Sequence, residues 1–134
     1  MAKTALLRPL LLALLALTPG CAVGLVAVGA GIGAWVLAEN SDDTGEMRLA
    51  HSPERVYQAA LAVCRNRGAQ DLKEVPASRR IECELDEADV VIQVFTVPGA
   101  ENSAILKISA RSTLRGRAEL AQALAEEIRD SLAP

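Results

Sequence analysis

A run of eight apolar residues, Leu10–Leu17, ends in Thr18-Pro19-Gly20-Cys21, and this junction constrains the chain more than any other stretch. Lys3 and Arg8 give it a short basic lead. Eight helical residues fall well short of the ~20 needed to cross hydrocarbon, so the run reads as the apolar part of an export signal. Pro19 and Gly20 break the helix just before the cysteine and leave the backbone extended for a peptidase. Residues 1–20 are therefore expected to be a signal peptide. Residues 21–38 follow as an apolar membrane-associated segment, 39–45 as a linker and 46–134 as a soluble domain.

Ala22–Ala38 is again apolar, 17 residues without a charge. As a helix it would be about 25 Å long, the short limit for a bilayer. Gly29 and Gly33, and Ala30 and Ala34, fall four apart, a spacing that lets helices approach closely in lipid. Trp35 falls near the end, where an interfacial ring would sit. Two readings are open: a self-associating membrane helix, which we favour, or a flexible leader pressed against the bilayer. Glu39–Gly45 is polar and turn-rich, as a linker would be.

Charge is concentrated after Glu39. Removal of residues 1–20 takes Lys3 and Arg8 with it and leaves 12 basic against 17 acidic residues, a net charge of −5. An acidic module with one Trp, one Tyr and one Phe has neither the basic face nor the stacking aromatics of a nucleic-acid binder. His51 is the only histidine, and it cannot complete a four-ligand zinc site with two distant cysteines, so no metal and no cofactor are expected.

The soluble part reads as α+β. Glu46–Ala50 suits a first strand. Ser52 and Pro53 mark a helix start, with Glu54 in its first turn. Val56, Ala60, Val63 and Cys64 give that helix one buried face, and Gly68 stops it. Asp71–Val75, Arg80–Leu85, Val90–Val97 and Ala104–Ser112 read as strands. Leu120, Leu124, Ile128 and Leu132 stripe a last helix over residues 117–132. The expectation is a two-layer sandwich, a mostly antiparallel sheet of four to five strands with two helices on one face, in the order β-α-β-β-β-β-α. Cys64 and Cys83 fall on inner faces, where they can meet as a disulfide or stay as two small buried thiols.

No spacing carries catalytic chemistry. Glu82, Glu84, Asp86, Glu87 and Asp89 form an acidic run divided between a strand face and a turn, which suits solvated surface better than a cation site. Ser109 and His51 lack any nucleophile-elbow context, so an enzyme is not expected. Arg111, Arg115 and Arg117 could meet lipid head groups or simply solubilise the surface. If Val90, Ile92 and Val94 face the helices, then Val91, Phe95 and Val97, joined by Ile105, form an apolar patch on the other side. Such a patch serves a partner, or is covered by the linker or the N-terminal segment.

Leu17-Thr18-Pro19-Gly20-Cys21 resembles the lipobox of bacterial lipoproteins, with Leu17 one place earlier than in the usual pattern. The resemblance implies diacylglycerol on the Cys21 sulfur, cleavage before Cys21, and an acyl chain such as palmitate on the new amino group. An ordinary signal, or an uncleaved anchor with Cys21 incidental, is the alternative. More widely, Cys21–Trp35, residues 52–61 and the paired stretches 90–97 and 105–111 are similar to a family of small lipoproteins of uncharacterised function. That family implies a Gram-negative envelope protein with its domain in the periplasm. Ala22 after the cysteine goes with the outer rather than the inner membrane. No catalytic residues carry over. The expected role is structural, through contact with itself or another envelope protein, with a small-ligand or lipid-binding module as the alternative.

Overall fold

The computed structural model describes residues 32–134. Residues 1–20, expected as a signal peptide, the expected lipid-attachment Cys21 and residues 22–31 of the apolar segment lie outside them. Strands β1 (Trp35–Leu37) and β2 (Thr44–Leu49) precede helix α1 (Pro53–Asn66). Strands β3 (Gln70–Val75), β4 (Arg80–Leu85), β5 (Ala88–Val97) and β6 (Ala100–Arg111) lead to helix α2 (Ala118–Ser131). The six strands form one antiparallel sheet in the order β1-β2-β6-β5-β4-β3.

Local chemistry explains most boundaries. The Ser52 side chain accepts from the Arg55 N–H and Pro53 occupies the first turn of α1. Gly68 follows the helix at φ +75°, a conformation that costs glycine nothing. Between β4 and β5, Asp86 and Glu87 both take positive φ, as a two-residue hairpin turn of primed type requires. A short 3-10 turn, Pro76–Ser78, joins β3 to β4.

Alternation sorts the sheet into two faces. Met47 and Leu49 of β2, Ile81 and Cys83 of β4, Val90, Ile92 and Val94 of β5, and Leu106, Ile108 and Ala110 of β6 are buried on one of them. Val56, Tyr57, Ala60 and Cys64 of α1 and Leu120, Leu124 and Ile128 of α2 pack against them in a single core. The class is α+β, as expected, with both helices in one layer.

The strand count differs. Trp35–Leu37 was expected at the end of a membrane helix, but it adds a sixth strand at the sheet edge, paired with Gly45–Met47. The order is therefore β-β-α-β-β-β-β-α. Residues 39–45, expected as a linker, make the turn of this hairpin and the start of β2. The Trp35 ring is half-buried against the core instead of standing free as an interfacial ring. Arg129 of α2 donates to the Gly33 carbonyl (3.0 Å), and the Gly33 N–H donates to the Arg48 carbonyl (2.6 Å), which pins the chain just before β1. Among the described residues no helix is long and apolar enough to cross a membrane.

Asp43 fastens the hairpin to the rest of the sheet. It is the one charged residue buried among the described residues, 9% exposed. Thr44 and Ser41 hydroxyls donate to its Oδ1 at 2.7 and 2.8 Å, and Arg111 donates to Oδ2 at 2.7 Å. The hydroxyl of Thr44, then that of Ser41, then the Arg111 guanidinium hold its carboxyl at about 2, below the ordinary 3.8. A carboxyl depressed on folding stabilises the fold above its unfolded value, and that contribution is lost as pH falls from 3.8 toward 2. Asp43→Asn should cost about 2 kcal/mol at pH 7. Denaturant titrations of the two proteins should converge by the acid end of that window; a gap that stays constant with pH would assign the cost to shape alone.

Candidate functional site

The face of the sheet away from the helices carries no further layer among the described residues. Strand register places its side chains. Phe95 stands opposite Ile105, Gln93 opposite Lys107 and Val91 opposite Ser109 across β5 and β6. Arg48, Glu46 and Thr44 of β2 stand beside Ile105, Lys107 and Ser109, and Arg80 and Glu82 of β4 stand beside Gln93 and Val91. These residues form a continuous block on one open face.

The sequence-derived patch is on this face, but it is divided. Phe95 (40% exposed) and Ile105 are direct cross-strand neighbours. Val91 is separated from them by the Gln93–Lys107 pair. Val97 lies beyond a register shift after Thr96, pairs with Ala100 and is half-buried. The surface is therefore an aromatic–aliphatic spot at one end and a polar, shallow depression at the other. The depression is about 360 Å³ and is lined by Thr44, Arg80, Val91, Gln93, Lys107 and Ser109. A larger open hollow of about 700 Å³ runs beside β3, with Leu72, Lys73, Glu82, Cys83 and Val91 among its walls.

Charge on the face is mixed. Arg80 is engaged by Glu82 at 2.8 Å. Lys107 and Arg48 have no ion-pair partner among the described residues, and Glu46 stands beside Lys107 by register. Aromatic and aliphatic side chains amid mixed charge suit a protein surface better than a polyanion.

The other candidates do not assemble. Arg111 is turned onto Asp43, and Arg117 is held by Glu119 at 2.9 Å and donates to the Asp86 carbonyl, so the three arginines do not converge on one point. Among the described residues, no three His, Cys, Asp or Glu side chains are placed to hold a metal, and the acidic run is spread over β4, the turn and β5. His51 follows one end of β2, whereas Ser109 pairs with Thr44 at the other end, about 17 Å away by strand rise.

Cys64 and Cys83 do meet, as free thiols, between α1 and β4. The hydrogen bond to Cys83, together with burial, pushes the Cys64 thiol up, and the same bond draws the Cys83 thiol down.

What the sequence reading missed is the Asp43 cluster. A local signal exists in Ser41-Asp42-Asp43-Thr44, whose side chains cap their own backbone: the Asp43 and Thr44 N–H groups donate to Ser41 Oγ at 3.3 and 2.9 Å. Its partner Arg111 is far along the chain and carries no such signal.

Compared with known proteins, the chain matches no family model and no curated protein.

Proposed function

We propose that this is a lipid-anchored protein of the bacterial cell envelope, held through Cys21, whose domain docks another envelope protein on its open sheet face. The observation that carries the docking reading is Phe95, 40% exposed and paired with Ile105 on a face without a covering layer among the described residues. Large aromatics are enriched where partners bind. The packing supports this choice over a ligand held between sheet and helices. That space is filled by Tyr57, Ile92, Leu106, Ile108, Leu124 and Ile128, each at most 1% exposed. The signal-like run ending at Cys21 supports the anchor, and Ala22 supports the outer membrane.

The anchor is tested by intact mass of the membrane-extracted protein beside Cys21→Ala. A chain starting at Cys21 with acyl mass supports the anchor; an unmodified chain keeping residues 1–20 defeats it. Docking is tested with a photo-crosslinking side chain at Ile105, with Gln122 on the exposed side of α2 as control. Phe95→Lys should reduce adducts from Ile105 at least tenfold, while stability changes by less than about 1 kcal/mol. Equal adducts from Ile105 and Gln122, or unfolding of the Lys variant, would remove Phe95 from any docking role. Adducts of twice the chain's own mass would make the partner a second copy.

A further inference from the structure

Cys64 and Cys83 come from different elements, one on the buried side of α1 and one on the inner face of β4, and both belong to the same core. Their side chains are close enough for one thiol to donate to the other. They are not equally hidden: Cys64 is 0% exposed and Cys83 is 6%. Cys83 also lines the hollow beside β3. There β3 breaks register between Gln70 and Lys73, opposite Cys83, with Asp71 at φ +51°.

We infer that Cys64 and Cys83 are an oxidisable dithiol, which a low-molecular-weight disulfide converts to a bond stapling α1 to β4. Cys83 is the attacking sulfur, because it is the less buried of the two and its hydrogen bond from Cys64 favours the thiolate. The Cys83 thiolate attacks one sulfur of the disulfide, forms a mixed disulfide and expels the other half as a thiolate. Cys64 then gives up its proton and attacks the Cys83 sulfur, and the second half leaves as a thiolate. The protein loses two electrons and two protons, and one disulfide becomes two thiols. This chemistry requires neither the anchor nor the docking face.

The bond closes a loop of about 20 residues, which restricts the unfolded chain and should raise Tm by roughly 15 °C. The test incubates the folded full-length chain with glutathione disulfide, blocks remaining thiols, and maps peptides by mass. A peptide pair joined through Cys64 and Cys83, lighter by two hydrogens, is expected, with the Tm gain reversed by dithiothreitol. Cys83→Ala should abolish both the link and the gain. Two failures would overturn the inference: both cysteines alkylated after native exposure, or glutathione retained on Cys83 without the internal bond. Because wild type is read directly by mass, a poorly folding variant does not blur the outcome.

Discussion

Gly45→Ala is expected to strip β1 from the sheet. Gly45 pairs with Leu37 on one side and Ile108 on the other, and the Trp35 indole lies over it. A β-carbon there would sit 2.5 Å from Trp35 Cε2 and 2.7 Å from the Val36 carbonyl oxygen. The oxygen belongs to the β1 backbone, so turning the indole aside does not relieve the clash. The strand itself must move, at a cost of about 3 kcal/mol. Trp35 is the single tryptophan of the chain, so its emission reports β1 directly. The variant should show red-shifted emission and a lower Tm. Unchanged emission would mean that β1 accommodates the methyl group by sliding, and that the close approach is not what fixes the strand.

Ile92→Ala should be the most damaging truncation. Ile92 is 0% exposed and stands at the middle of a row that crosses the sheet: Gly45, Ile108, Ile92 and Ile81 are successive register partners on four strands. Removing its branched end leaves a void bounded by two rigid cross-strand isoleucines that cannot collapse into it. The expected loss is about 4 kcal/mol. That is a large part of the 5–15 kcal/mol that holds a typical domain together. Chemical denaturation of Ile92→Ala beside Phe95→Ala compares opposite faces of the same strand. Phe95→Ala should cost less than about 1 kcal/mol. Equal losses would show that the Phe95 face is covered in the folded protein, and the docking surface would have to be sought elsewhere.

Which elements could be read from the sequence follows from the range of the forces that make them. α1 was legible because its start and stop are local: Ser52 caps it, Pro53 opens it and Gly68 ends it. β4 was legible because Ile81, Cys83 and Leu85 alternate cleanly with Arg80, Glu82 and Glu84. β1 was not. Three residues are too few for a period of two to show, and they sit at the end of a long apolar run that reads as one membrane-seeking segment. The burial of Asp43 was equally hidden, because a carboxylate in a polar turn looks solvated until Arg111 arrives from the end of β6. For the open face, alternation placed Val91, Phe95 and Ile105 correctly on one side. The same alternation sets Gln93 between Val91 and Phe95, and the register adds that Lys107 stands opposite it.

The hairpin at the start of the described chain has a mechanical consequence. For a chain tethered at its N-terminus, load arrives first at Gly33 and Trp35, where β1 is three residues long and its antiparallel pairing opens one rung at a time. The Asp43–Arg111 pair lies behind it, at the start of β2. Tension would peel residues 33–42 and stop at that pair, paying out slack of up to about 35 Å while the remaining five strands stay folded. The edge hairpin would then act as a shock absorber in the leash, with Arg111 as its stop.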